Sequence, residues 1–206
     1  MLTLHYATGT ISIAVAIALE EAGLPYETIK VDFASAEQTQ APYLALNPKG
    51  RVPLLVLEDG TRLTETGALL EYIATIAPGA GLLPEDPVLA AHVRGVMYYL
   101  ASTMHVAHAH RMRGSRWATR QESFDDMTAK VPENMAACGA YLNEHALQGA
   151  YVAGDRPSIA DPYLFTVLNW MEGDGAPLAA HPRLAGFMDR MKQRDSVMAI
   201  REKGLR

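Results

Sequence analysis

The chain has 206 residues, room for one large or two small domains. Hydrophobic residues make up 49% and charged residues 20%, and 18 basic against 23 acidic side chains leave a net charge of −5, which speaks against a nucleic-acid partner. One cysteine, Cys138, excludes an internal disulfide and a two-cysteine metal site, and no stretch approaches the roughly 20 apolar residues of a membrane span. The N-terminus lacks the basic-then-apolar pattern of a signal peptide, so the expectation is a cytoplasmic protein without a membrane anchor.

Residues 2–6 alternate as a short strand, and Ala7-Thr8-Gly9-Thr10 breaks it. An Ala-, Ile- and Leu-rich helix follows over 12–22 and stops at Gly23-Leu24-Pro25. Residues 26–32 alternate again, and 33–46 are polar with a weak helical piece near Tyr43. Two strands, 52–57 and 61–63, flank Glu58-Asp59-Gly60, where Asp-Gly signals a hairpin. Ala68, Leu69, Tyr72, Ile73 and Ile76 stand at helical spacing within 66–77. The order β-α-β-(α)-β-β-α is the thioredoxin-like arrangement: α/β in residues 1–79. Residues 80–87 lie in a Pro- and Gly-rich connector. Strand signals then vanish, and helical patterns at 88–112, 123–147, 158–171 and 182–192 predict an all-α bundle over 88–206.

The most informative segment is Asn47-Pro48-Lys49-Gly50-Arg51-Val52-Pro53, followed by Leu63-Thr64-Glu65-Thr66-Gly67. Asn-Pro and Lys-Gly punctuate a turn, and a proline opening a strand in such a turn is a candidate for the cis isomer. Thr64-Glu65-Thr66 stands before a helix, where backbone N–H groups and a carboxylate would lie near that turn. Such a site suits an extended, peptide-like ligand held by its main chain and its charged end. In this combination, and over nearly its whole length, the chain resembles the cytosolic glutathione S-transferases, with the bacterial beta class nearest in pattern. The resemblance implies that Val52 offers its backbone to the cysteinyl part of glutathione and that Pro53 is cis. It implies that Glu65 pairs with the γ-glutamyl ammonium, and that Thr66, at a helix start, binds the γ-glutamyl carboxylate. The division fits the physics of helix termini, although Thr-Glu-Thr also caps ordinary helices. The beta class has a basic residue in the loop after the second strand for the glycyl carboxylate. Residues 33–40 contain no lysine or arginine, so either Lys49 or Arg51 substitutes or the glycyl end is held weakly.

In thioredoxin-like domains the loop after the first strand meets the first helix, whose N–H groups and dipole stabilise a thiolate. The beta-class cysteine of this loop falls on Ile11, and the serine after it on Ser12. Mixed-disulfide chemistry by a protein thiol is thereby excluded, and a hydroxyl or main-chain mechanism takes its place. Ser12 is the first choice, then Thr10, then Tyr6; against this, Ser and Thr are preferred N-caps in any helix.

In the helical half, His105 matches the beta-class histidine that faces the glutathione sulfur, and Tyr98 falls where that class often has asparagine. His105, His108, His110, Arg111, Arg113 and Arg116 form a basic run in an acidic protein. The favoured reading is the wall of a second-substrate pocket, with Tyr98, His108, Arg113 and Trp170, suited to acidic or carbonyl-bearing electrophiles. The alternative is a solvated helix end whose basic residues complement the dipole. A zinc site would need a third ligand such as His92 or His181, and no metal is expected. Ser158-x-x-Asp161 reads as a capping box, a folding element. Cys138 reads as a small buried hydrophobe.

The expected activity is conjugation of the glutathione thiolate to small electrophiles, a detoxification reaction, with glutathione as co-substrate and the protein a homodimer, as the resemblance implies. The competing expectation is a non-catalytic binder of glutathione or a hydrophobic ligand, or an interaction protein, favoured by Ile11 and the missing basic residue.

Overall fold

The computed structural model describes residues 1–205. By contacts the chain divides into two compact units: Met1–Pro84 together with the segment from Lys192 onward, and Glu85–Met191.

The first unit is built on four strands, β1 (Leu2–Tyr6), β2 (Tyr26–Lys30), β3 (Leu54–Val56) and β4 (Arg62–Thr64), in the order β2-β1-β3-β4. β1 pairs in parallel with β2 and antiparallel with β3, which pairs antiparallel with β4. The parallel pair requires a crossover, supplied by α1 (Ser12–Glu21). Every residue of α1 from Ser12 to Leu19 is buried, which is why its sequence shows no polar stripe. Leu4, Ile17, Leu19, Leu54 and Leu55 are fully enclosed, each contributing about 1.5–3 kcal/mol of burial. After β2 come a 3-10 turn (Glu37–Thr39) and a short α2 (Ala41–Leu44), where the sequence shows only a weak helical piece. α3 (Thr66–Ile76) follows the hairpin. β3 is shorter than the expected 52–57, since Val52 and Pro53 belong to the turn before it.

A ninth α-helix, α9 (Asp195–Glu202), has no counterpart in the sequence reading. It packs on α1 within the first unit, burying Val197 and Ile200. Arg194 Nε and Nη2 lie 2.5 and 2.7 Å from the two oxygens of Glu21, and Ser196 donates to Glu21 Oε1 at 2.6 Å. Contacts therefore place the last residues with the α/β unit, whereas the sequence reading places all of 88–206 in the helical bundle.

The second unit contains α4 (Pro87–Tyr99), α5 (His105–His110), α6 (Gln121–His145), α7 (Ala160–Leu168) and α8 (Pro182–Lys192). The single helix expected over 88–112 is interrupted by a π-helical turn at Leu100–Met104, which changes the angular phase of everything after it. Asp161 is fully buried. It accepts hydrogen bonds from Val152 N (2.9 Å), Ser158 N (2.6 Å) and Ser158 Oγ (2.7 Å). Ser158 Oγ takes the Ala160 N–H at 3.3 Å rather than that of Asp161, so half of the expected box is rearranged. Cys138 is buried. Among the described residues no helix is long and apolar enough to cross a membrane.

Candidate functional site

The end of β1, the turn before β3 and the start of α3 all lie in the first unit, and each carries an unusual local arrangement. At the first, the backbone of Ala7 is held by two hydroxyls. Thr10 Oγ1 donates to the Ala7 carbonyl at 2.7 Å, and Ser12 Oγ accepts the Ala7 N–H at 3.2 Å. The hydroxyls lie 2.7 Å from each other, and Ser12 Oγ is also 3.2 Å from the Ala7 carbonyl. Ser12 is fully buried, whereas Thr10 is half-buried beside exposed Thr8 and Gly9. Ser12, first choice from sequence, is thus enclosed in the loop, and Thr10 is the hydroxyl nearer solvent. Ile11 is buried, and so is Tyr6, whose carbonyl accepts the Val31 N–H at 2.8 Å.

The second arrangement is the cis peptide bond between Val52 and Pro53. The carbonyl before it, that of Arg51, receives two hydrogen bonds, from Tyr43 Oη at 2.8 Å and Asn47 Nδ2 at 2.6 Å. Burial pushes the Tyr43 phenol up to about 12, against the opposing bond from Asn47 and with added help from Glu37's charge, so it stays a donor. Val52 and Pro53 are buried, and the Arg51 side chain is exposed. Gly50, at φ +60°, is where a side chain cannot be added: a Cβ would stand 2.9 Å from the Gln38 carbonyl oxygen. Sequence reasoning did not find Tyr43 or Asn47 as the residues that fix this turn. The polar Asn-Pro opening was the available signal for Asn47; nothing local marks Tyr43.

The third is Glu65, at φ +73°, ψ 115°, a left-handed conformation that a non-glycine residue adopts at a cost. It stands immediately before α3, whose first turn leaves N–H groups without intrahelical partners. Thr66, the first residue of that helix, is buried. The Glu65 side chain is 65% exposed and its Oε1 lies 2.5 Å from Lys49 Nζ, which also donates to Thr64 Oγ1 at 2.9 Å. Lys49, expected near the glycyl end, thus stands at Glu65. An exposed pair of this kind contributes at most about 1 kcal/mol and yields readily to another cation.

In the second unit, His105 and His108 lie on α5 beside Trp170, just past α7. The His108 ring stacks on the indole at 4.2 Å and 19°, and the His105 ring is 4.9 Å from it. His108 Nδ1 is 2.7 Å from Asp174 Oδ2, and Arg111 Nη1 is 3.3 Å from Asp174 Oδ1. The Asp174 side chain is fully buried; sequence reasoning missed it, since Gly173-Asp174-Gly175 reads only as a turn, 66 residues from its partner. Tyr98 is exposed on α4, and Arg113 is exposed after α5. His92 and His181 lie elsewhere. His92 Nε2 is 2.9 Å from the Ala146 carbonyl, and His181 is buried against Gly139. Among the described residues no group of three or more His, Cys, Asp or Glu could hold a metal ion.

Residues 2–75 match the family model "Glutathione S-transferase, N-terminal domain" and residues 121–190 match "Glutathione S-transferase, C-terminal domain". The Escherichia coli protein "Glutathione S-transferase GstA" is 32% identical over 206 residues, 98% of this chain and 99% of that one. A Pseudomonas aeruginosa maleylacetoacetate isomerase is 33% identical over 189 residues, covering 89% and 87% of the two chains. Among solved structures, a glutathione transferase homologue from Sulfitobacter with bound glutathione superposes with a TM-score of 0.99 at 63% identity, covering 100% of this chain and 99% of that one. With both halves of the fold matched and the likeness running almost end to end, the chain belongs to the glutathione S-transferase family.

Proposed function

We propose that the protein is a glutathione transferase in which the first unit binds glutathione and favours its thiolate. The observation that carries the reading is Glu65, a non-glycine residue held at φ +73° at the head of α3. Strain of about 1–3 kcal/mol is retained where a site over-determines the backbone. Here it presents a carboxylate and the α3 N-terminus to one end of a ligand. Glu65 takes the γ-glutamyl ammonium, displacing Lys49, and Thr66 with the first N–H groups of α3 takes the carboxylate. Val52, which precedes the cis bond to Pro53, pairs its backbone with the cysteinyl main chain. Arg51, whose side chain is exposed, serves the glycyl end. The glutathione bound to the Sulfitobacter structure supports glutathione as the ligand.

Thr10 is the hydroxyl that meets the sulfur, and Ser12 is its support. In the resting loop Thr10 gives its proton to the Ala7 carbonyl. When Thr10 turns that proton to a thiolate, the Ser12 hydroxyl, 3.2 Å from the same carbonyl, takes its place. A hydrogen bond to the charged form lowers the thiol pKa. The thiolate then attacks a small electrophile; within the helical unit, His105, His108 and Trp170 form a polar, aromatic cluster that suits a second substrate.

The enzyme works in the cytoplasm as a homodimer, detoxifying small electrophiles; exposed Val88 and Tyr98 on α4 and Tyr141 on α6 support an association surface. A glutathione-dependent isomerase is the second reading, favoured by the isomerase among the relatives, in which glutathione adds and then leaves. The test is glutathione binding by calorimetry, followed by an ultraviolet titration of the bound thiol. A thiolate present well below the pH at which free glutathione ionises supports the transferase. Saturation without a thiolate signal returns the protein to the non-catalytic, ligand-binding class.

A further inference from the structure

We infer that Tyr43 and Asn47 are positioning residues of the glutathione site, which aim the Val52 N–H at the ligand's main chain by gripping the other end of the same peptide unit. The inference rests on the glutathione-binding reading and deepens it, and every residue it uses lies in the first unit. The Arg51 carbonyl and the Val52 N–H belong to one planar, trans peptide, so they point in opposite directions and cannot turn independently. Tyr43 Oη donates to that carbonyl at 2.8 Å and Asn47 Nδ2 at 2.6 Å, one donor for each lone pair of the oxygen. Tyr43 is 3% exposed and Asn47 2%, so the oxygen is held toward the interior and the N–H is turned away from it. Among the described residues that N–H meets no acceptor. Backbone donors of enclosed residues are ordinarily paired, and Val52 is only 9% exposed, so the unspent N–H marks where a ligand acceptor fits.

The grip is itself braced. The Tyr43 ring packs with Ala7, Val31 and Val52 in one buried cluster, and the His5 ring stands edge-on to it at 6.1 Å. Asn47 Oδ1 accepts the Lys49 N–H at 3.2 Å. The Asn47 N–H goes to the Tyr43 carbonyl at 2.8 Å, and its carbonyl takes the Gly50 N–H at 2.9 Å. Neither side chain is free to follow a moving peptide, so the Val52 N–H is fixed before a ligand arrives, which lowers the ordering cost of binding. Both direct their donors into the turn, so they act on a ligand through Val52 rather than by touching it. The group that answers a fixed N–H is a peptide carbonyl, in glutathione that of the cysteinyl residue. A thiol that carries the γ-glutamyl end without this carbonyl gains nothing from the grip.

The test compares glutathione with γ-glutamylcysteamine, which keeps the γ-glutamyl group and the thiol and lacks the cysteinyl carbonyl, by NMR titration of the isotope-labelled full chain. Tyr43→Phe keeps the packed ring and removes one donor. Asn47→Asp keeps the shape and the acceptor for the Lys49 N–H, and sets a carboxylate against the Arg51 carbonyl. In each variant the ratio of the Kd for glutathione to that for γ-glutamylcysteamine should rise about 3–10-fold from wild type, the span of one ordinary hydrogen bond. The downfield movement of the Val52 amide proton on adding glutathione should shrink in both. A residue that only holds the turn together would weaken both thiols alike, or lower the melting temperature alone. An unchanged ratio in either variant therefore removes that residue from the role, and in both it overturns the proposal. A wild type that binds glutathione without moving the Val52 amide overturns it too and leaves the glutathione reading standing, whereas a wild type that binds neither thiol removes that reading with it.

Discussion

Exchanging Thr10 for valine and, separately, Ser12 for alanine distinguishes the hydroxyl that touches the thiolate from the one that holds the loop. Thr10→Val preserves shape and removes the donor. A hydrogen bond to a charged acceptor contributes about 1.5–3 kcal/mol, and one pKa unit corresponds to about 1.4 kcal/mol, so the bound thiol should ionise about 1–2 units higher. Below that new value, conjugation should slow by about 10–100-fold. Ser12→Ala acts differently. The buried Ala7 N–H loses its acceptor at 3.2 Å, and Thr10 loses its neighbour at 2.7 Å. An orphaned buried donor costs about 1–3 kcal/mol, which should appear in urea unfolding, while the bound thiol keeps most of its acidity through Thr10. Ultraviolet absorbance of the thiolate against pH reads the first effect and equilibrium unfolding reads the second. A large rise in thiol pKa for Ser12→Ala with none for Thr10→Val would overturn the assignment of roles.

Glu65→Gly should bind glutathione roughly 10–100-fold more weakly, losing a charge-assisted pair, yet unfold no more easily than wild type, because glycine relieves the φ +73° conformation; calorimetry and thermal melts check both halves. Gly139→Ala should destabilise by about 1–3 kcal/mol in urea, since a Cβ there would stand 2.5 Å from His181 Nε2 and 2.7 Å from Met171 Cε; an unaffected midpoint would mean that the α6 contact yields freely. Burial holds the pKa of both His5, against an opposing pull from Glu37, and His181 below the ordinary 6.5, so the unfolded chain binds their protons first. Their contribution to stability is complete above 6.5 and is lost as pH falls through the lower folded values; unfolding midpoints that rise on acidification across that window would contradict it. Asp161→Asn should cost about 3 kcal/mol, because an amide oxygen that accepts both Ser158 donors turns its NH2 toward the buried Val152 N–H, which loses its acceptor; a loss under about 1 kcal/mol in urea would show the cluster to be dispensable.

The features legible in the sequence are those set by local chemistry. Asp59-Gly60 announces its hairpin, Gly23 ends α1, and the proline-led entry to β3 marks the turn whose Val52–Pro53 bond is cis. α9 was not legible because Asp195–Glu202 presents only a short apolar stripe, and its register depends on Glu21, far away in the chain. The π-helical turn was invisible for a related reason. Leu100–Met104 continues a good helical composition, and a change of hydrogen-bond step leaves no mark in residue type. Asp174 acquires meaning only from His108 and Arg111, which the folded chain brings to it.

The order of the two hydroxyls is the instructive case, because the sequence contained the means to rank them. α1 is apolar on every side, and a helix with that pattern is enclosed on every side. Ser12 is its only hydroxyl-bearing residue, so it lies within the enclosed turn, where an unmatched hydroxyl would cost free energy. A buried serine at a helix start has only nearby backbone to bond, and Ser12 accordingly spends its hydrogen bonds on Ala7 and Thr10. Thr10, ahead of the apolar run and beside Gly9 at φ +73°, lies in the part of the loop that reaches solvent. A capping preference treats both residues alike; the periodicity of the helix that follows separates the enclosed hydroxyl from the one nearer solvent.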